Sequence, residues 1–311
     1  MERLIFKYTQ GLPGPLLICL AGIHGNEIAG IRALQRLEEM LVQETASKPH
    51  FVFTGTVIGL VGNVEASESQ TRFIESDLNR MFLDESVTRI LEANFSDLEA
   101  EELELRELLT TIDEFIKETL PTKVVILDLH TTSARGGLFA IPSDQEESIR
   151  IAKALHAPVI KGFMSGLKGT TLHYFSNNGY KYDQPVIPLV FEAGQHTNPL
   201  SVNRMIAAVV NCLRTIGCVD DDDVESQHDE ILKAYSEHLP ALTRLIHRHQ
   251  IIRADEFVME PGFENFQKIK KGELLARDKN GNIYSDYNGY ILMPLYQRKG
   301  EDGFFIIQDD K

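Results

Sequence analysis

Residues 15–23 read Pro-Leu-Leu-Ile-Cys-Leu-Ala-Gly-Ile, a nearly unbroken apolar run that stops at His24-Gly25-Asn26-Glu27. A short, uniformly apolar run fits a strand covered on both faces, because a strand with one face in water alternates polar and apolar residues. Beyond the polar break, Ile28, Ile31, Leu34, Leu37 and Leu41 recur at three- and four-residue steps. That spacing lines one face of an amphipathic helix reaching about Gln43. The segment therefore reads as buried strand, polar turn and helix, the unit from which an α/β sheet is built.

The same alternation continues. Residues 51–62, 123–129 and 186–191 read as three further buried strands, with helical patterns between them. The expected fold class is α/β: a mixed, mainly parallel sheet covered by helices on both faces, followed by a smaller C-terminal β domain. Leu98, Leu105, Leu108, Leu109, Ile112, Phe115 and Ile116 mark one long helix. Its other face carries Glu99, Glu101, Glu102, Glu104 and Glu107, expected to be solvated rather than a docking surface. After a helix over residues 202–215, four successive aspartates at 220–223 cannot pack against one another and mark a boundary. A connector helix over residues 230–247, interrupted near Pro240, comes next. Beyond residue 251, Pro261-Gly262, Lys279-Asn280-Gly281-Asn282 and Asn288-Gly289 fall at hairpin-like spacing. The expected units are a catalytic domain over 1–218, an acidic linker with connector helix over 219–247, and a β domain over 248–311.

Charge narrows the function. The chain carries 31 Lys+Arg against 46 Asp+Glu, a net charge of -15, which repels a phosphate backbone or an anionic membrane. A small anion remains compatible, because a few arginines or a metal ion can reverse the potential inside one cleft. Cys19, Cys212 and Cys218 form neither a disulfide framework nor a CxxC metal pattern. With no signal-peptide pattern at the start and no apolar run of transmembrane length, a cytoplasmic location is expected.

His24 and Glu27 form an HxxE pair at the C-terminal end of the first buried strand, where open α/β sheets place ligands. Catalytic zinc takes three protein ligands and keeps one open position, and two histidines with one glutamate form such a set. His130, at the end of the strand over 123–129, is the plausible third ligand. Asp128, two residues earlier on the same side, is placed to orient a ligand or a substrate group. Either histidine could instead be an ordinary hydrogen-bonded residue; the joint placement of both motifs at strand ends favours metal. Glu192 follows the apolar run 186–191 and is the best candidate for the base that takes a proton from water. Residues 71–82 set Arg72, Asn79 and Arg80 among apolar anchors, a composition suited to gripping a carboxylate or stabilising an oxyanion. His173 and His196 fall near these motifs and are open to pocket-lining or structural roles, whereas His247 and His249 read as incidental.

Taken together, Ala21-Gly-Ile-His-Gly-Asn-Glu27, Asn63, the block over residues 71–82, Asp128-Leu-His-Thr-Thr-Ser133 and Phe191-Glu-Ala-Gly194 resemble the succinylglutamate desuccinylase/aspartoacylase family. This is a branch of the zinc carboxypeptidase-like hydrolases. The resemblance implies one zinc ion per chain, held by His24, Glu27 and His130, and Glu192 as activator of water. It further implies Arg72 as oxyanion stabiliser, and Asn79 and Arg80 as binders of the amino-acid carboxylate. Tyr296 and Lys299 look similar to a tyrosine and a lysine with which family members reach the cleft, with Arg298 as a basic alternative. The chain departs from aspartoacylases in one respect: between Gly162 and Glu192 its only cations are Lys168 and Lys181, with no arginine for a second substrate carboxylate. The implied activity is removal of the acyl group from a small N-acyl amino acid, N-acetylaspartate- or N-succinylglutamate-like. A metallocarboxypeptidase-like peptide hydrolase and a non-catalytic zinc-containing binding protein are the alternatives. The expected partner is that small anionic substrate, with no nucleic acid and no membrane; association into a homo-oligomer is left open.

Overall fold

The computed structural model describes residues 1–220 and 227–310. Strands β1 (Leu4–Thr9), β2 (Leu12–Ala21), β3 (Thr54–Val61), β4 (Val124–Thr132), β5 (Phe139–Pro142), β6 (Val159–Lys161), β7 (Val186–Gln195) and β8 (Leu242–Gln250) belong to one large sheet. They are joined there by β10 (Lys268–Ile269), β13 (Gly289–Leu292) and β14 (Asp302–Asp309), in the order β1-β3-β2-β4-β7-β5-β6-β8-β14-β13-β10. The centre, β3-β2-β4-β7, is parallel; β1 and β5 run antiparallel to their neighbours β3 and β7. Strands β9 (Val258–Met259), β11 (Leu274–Asp278) and β12 (Gly281–Tyr284) form a separate small antiparallel sheet. The expected fold class, helices on both faces of a mixed sheet with a smaller C-terminal β part, is what the chain adopts.

Strand alternation explains why both faces are covered. Leu17, Cys19 and Ala21 of β2 and Val125, Leu127 and Leu129 of β4 pack with α1 (Ala29–Ser47), α5 (Glu146–Ala154) and α8 (Leu200–Ile216). The intervening Leu16, Ile18, Leu20, Val124 and Ile126 pack with α3 (Asp84–Glu92), α4 (Glu101–Thr119) and α7 (Thr171–Asn178). Successive side chains point to opposite faces, so each of these strands must be apolar at every position. On the α4/α7 face the apolar series gives way, at the C-terminal strand ends, to Asp128, His130 and Glu192. The chain reverses its direction of winding at β2, whose neighbours are β3 on one side and β4 on the other. That switch point leaves a crevice beyond the strand ends.

Two expectations need correction. The connector helix predicted to reach His247 ends far earlier: α9 spans Gln227–Ser236, and Leu242–Gln250 is strand β8. The stretch Leu242-Thr-Arg-Leu-Ile-His-Arg-His-Gln250 lies between β6 and β14, and its ladder bonds override a helix-like spacing of apolar residues. The acidic face of α4 is also not uniformly solvated, since Glu101 and Glu104 are only 2% and 9% exposed. Of the aspartate run, residues 221–223 lie outside the described residues. No helix among those described is long and apolar enough to cross a membrane.

Candidate active site

The turn after β2 is forced into place by a close approach. A Cβ on Gly25 would lie 2.0 Å from the backbone carbon of Ala66 in α2 (Val64–Glu68), so no larger residue fits there. Gly25 N also donates to Arg72 O at 3.1 Å, tying the turn to the following loop. His24 and Glu27 then meet His130 from the end of β4. One potential ligand atom from each of these three buried residues falls within 4.8 Å of the others.

The hydrogen-bond pattern sorts the ring nitrogens. His24 Nδ1 lies 2.9 Å from Glu27 Oε1, and His130 Nδ1 lies 3.1 Å from Glu27 Oε2. The opposite nitrogens face carboxylates: His24 Nε2 is 3.2 Å from Asp77 Oδ1, and His130 Nε2 is 3.0 Å from Asp128 Oδ2, out of line for a hydrogen bond. Histidines that bind metal through one nitrogen commonly have the other steered by a carboxylate, as Asp77 does for His24. Thr131 N donates to Glu27 Oε2, and Thr171 Oγ1 donates to Asp128 Oδ2 at 2.6 Å. Burial raises the Glu27 carboxyl, but His24 and His130 outweigh it and hold the group well below the usual carboxylate range. Burial likewise lowers His130, and Asp128 with Glu27 reverses the effect, holding the imidazole well above its usual value. The cluster concentrates carboxylates around two imidazoles and favours positive charge at its centre.

Glu192 sits on β7 directly opposite His130 in the parallel register. It is buried, and its Oε2 has no hydrogen-bond partner. Burial pushes its carboxyl up; His130 counteracts, Glu27 and Asp128 add to the rise, Arg72 opposes it, and the balance lies at about 8. Gly194, two residues on, adopts φ +96, and a Cβ there would meet the Arg204 guanidinium at 2.7 Å. The strand end next to the glutamate therefore requires glycine.

The loop over residues 71–80 is the third contributor. Arg72 places Nη2 3.1 Å from Asp77 Oδ2 and Nη1 3.6 Å from Glu27 Oε1, while its Nε is buried without a hydrogen-bond partner. Asp77 also caps the short helical turn Leu78–Arg80 by accepting from Asn79 N. Asn79 Oδ1 accepts from Thr171 N, and Arg80 Nη2 donates to Asp302 Oδ2 at 2.6 Å. The loop is held from below by Glu101 of α4, which accepts from the backbone N–H groups of Ile74, Glu75 and Ser76 and from Asn63 Nδ2. Burial raises the Glu101 carboxyl, yet these donors prevail and leave it below its usual value. Glu104 does the same for α2, accepting from Val64 N, Glu65 N and Arg3.

His24, Glu27, Arg72, Asn79, Arg80, His130 and Glu192 thus line one cavity. Tyr296 and Lys299 do not. The Tyr296 hydroxyl donates to Glu260 O and accepts from Phe263 N, and Lys299 Nζ donates to Phe73 O while lying over the Phe73 ring. His196 lines the cavity with its Nδ1 2.7 Å from Thr131 Oγ1; His173 also borders it, its Nε2 bonded to Met164 O. Gln297, which the sequence reading passed over, lines it too and accepts from Asn26 Nδ2. Asp77 was likewise passed over; the one local sign of it is the Asp-x-Asn spacing of a side-chain-capped turn.

Comparison with known proteins places the chain in a family. The family model for the succinylglutamate desuccinylase/aspartoacylase catalytic domain matches residues 13–216. A succinylglutamate desuccinylase of Shewanella sp. (strain MR-4) is 28% identical over 290 residues, covering 90% of this chain and 77% of that one. A probable aspartoacylase of Nostoc sp. is 31% identical over 127 residues, only 41% of this chain and 38% of that protein. Among solved structures, murine aminoacylase 3 shares 16% identity with a TM-score of 0.61, covering 95% of this chain and 94% of the other. A succinylglutamate desuccinylase/aspartoacylase from Rhodobacter sphaeroides shares 17% identity with a TM-score of 0.64, covering 96% and 86%. At such identities the structural likeness is one of fold, while the match over residues 13–216 is one of sequence. The chain belongs to the succinylglutamate desuccinylase/aspartoacylase family of deacylase hydrolases.

Proposed function

We propose that this protein is a zinc-dependent amidohydrolase that removes the acyl group from a small N-acyl amino acid. The observation that carries the reading is the meeting of two histidine Nδ1 atoms on the Glu27 carboxylate, with a buried, unpaired carboxyl at Glu192 directly across the β4/β7 ladder from His130. The donor set fits zinc: two imidazoles and one carboxylate, each imidazole backed by a further carboxylate. His24, Glu27 and His130 would hold the ion. When bound, such an ion supplies Lewis acidity that polarises an amide carbonyl and makes water easier to deprotonate.

The chain's own residues do the rest. Glu192, buried with its Oε2 free of hydrogen bonds and directly opposite His130, is placed to take a proton from water and return it to a leaving nitrogen. Water oxygen bonds to the carbonyl carbon, the C–N bond breaks, and the transferred proton ends on the amine, giving a carboxylate and a free amino acid. Arg72, tethered by Asp77 with its Nε uncommitted, is placed to stabilise the oxyanion. Asn79 and Arg80 line the same cavity as donors for the substrate's carboxylate.

The test is a panel of N-acetyl and N-succinyl amino acids with zinc-loaded protein, read by amine release. Turnover should disappear on chelation and return with zinc. Hydrolysis of peptides in preference to N-acyl amino acids would favour the carboxypeptidase-like alternative, and turnover that survives chelation would overturn the zinc reading.

A further inference from the structure

The far half of the cavity has a different chemistry from its metal-facing half. Its wall is formed by Ile141 of β5, Phe163 and Leu167 around α6 (Phe163–Gly166), Leu172 of α7, Val190 of β7 and Phe305 of β14. These six belong to one hydrophobic cluster. Val190 precedes Glu192 by two residues and so emerges on the same face, about 7 Å along the strand. Ile141 stands directly opposite Val190 across the β5/β7 ladder. The apolar wall therefore begins beside the proposed base, within reach of the group attached to the scissile amide.

Charge in the lining points the same way. Apart from the residues that would hold the ion, the cavity is bordered by two arginines, Arg72 and Arg80, against three acidic side chains, Glu192, Glu301 and Asp302. Arg72 is tied to Asp77 and lies beside Glu27. Arg80 bonds Asp302, which is also bonded by Arg248, and its Nε lies 3.4 Å from Glu301. Lys168, Lys181 and Lys299 do not line the cavity, and Lys181 Nζ sits over the Tyr174 ring. Arg80 with Asn79 can serve one substrate carboxylate. A second carboxylate directed at the apolar wall, or lying beside Glu301 and Asp302, would be desolvated with no cation to pair with.

Resting on the deacylase reading above, we infer that this cavity selects N-acyl amino acids with a single carboxylate and an apolar side chain, and rejects dicarboxylates. The zinc-loaded protein should hydrolyse N-acetyl-L-leucine and N-acetyl-L-phenylalanine with kcat/KM at least about tenfold to a hundredfold above N-acetyl-L-aspartate and N-succinyl-L-glutamate, the range an apolar pocket typically commands. Leu167→Arg, at a half-buried position on the wall, should narrow or invert that ratio by supplying a third cation. Preference of the wild type for N-acetyl-L-aspartate or N-succinyl-L-glutamate would overturn the inference while leaving the deacylase reading intact. Failure to hydrolyse any of the four would count against the deacylase reading, and binding would then decide the inference. Calorimetric titration of zinc-loaded Glu192→Gln should show N-acetyl-L-phenylalanine binding more tightly than N-acetyl-L-aspartate. The reverse order, or no binding of either, would overturn the selectivity.

Discussion

The site draws its residues from two regions that are held in place by different means. His24, Glu27, His130 and Glu192 stand at or just beyond the ends of β2, β4 and β7, fixed by parallel ladders that continue deep into the core. Arg72, Asp77, Asn79 and Arg80 ride on a loop with no ladder of its own, and a single buried glutamate, Glu101, gathers three of its backbone N–H groups. Strand ends give chemistry a rigid mount. A loop can reach the same cavity only when its backbone donors are satisfied, because buried N–H groups without acceptors are costly.

The largest expected effect lies with the strand-borne residues. Glu192→Gln should lower kcat by about a hundred- to ten-thousand-fold, the usual contribution of general acid–base catalysis, with bound zinc and melting temperature retained. Loss of metal with turnover intact would refute the assignment. Asp77→Asn probes the loop where it touches the strand-borne ligands, through His24 Nε2. Zinc affinity should fall by about ten- to a hundredfold, measured by competition with a chelator.

Glu101→Gln tests the loop's anchor. One amide oxygen replaces a charged acceptor of four donors, so unfolding free energy should drop by about 2 kcal/mol, with kcat reduced and zinc affinity nearly unchanged. The pH dependence has a definite sign. The folded-state carboxyl of Glu101 lies below its usual value, so its contribution is complete above the ordinary carboxylate range and is lost as pH falls through the depressed value. Denaturant unfolding of wild type and variant should therefore differ at pH 7 and converge in acid; a gap that widens in acid would contradict the anchoring role. Glu102→Gln, one residue along α4, removes only an exposed pair with Arg89 and should change stability by less than about 1 kcal/mol.

Much of the strand-borne region was legible in the sequence. An apolar run that ends in a polar motif can be read locally, because burial on both faces leaves few polar positions and makes the exceptions conspicuous. Val124-Val-Ile-Leu-Asp-Leu-His130 and Val186-Ile-Pro-Leu-Val-Phe-Glu192 show this directly. The loop was legible only in composition. Glu101 and Glu104 looked like the rest of an acidic helix face, since nothing within a few residues distinguishes a glutamate that meets backbone donors from one that meets water. Tyr296 and Lys299 illustrate the opposite case: similar in type to residues that reach the cleft, they spend their polar atoms on Glu260, Phe263 and Phe73. Strand β8 was obscured in the same way, its ladder partners lying some eighty residues before and sixty after it in register pairs such as Val159 with Leu242 and Ile307 with Leu245.

The sequence by itself determined the alternating strands and helices, the excess of negative charge and the polar residues placed at strand ends, because periodicity and local composition act over a few neighbouring residues. Tertiary structure alone decided that Glu27 lies between two imidazoles, that Glu101 supports a loop some twenty-five residues away, and that Ile141, Leu172 and Phe305 share one wall of the cavity. Those relations depend on which distant segments the sheet order brings side by side, and on the desolvation that sets the charge of each group once it is enclosed.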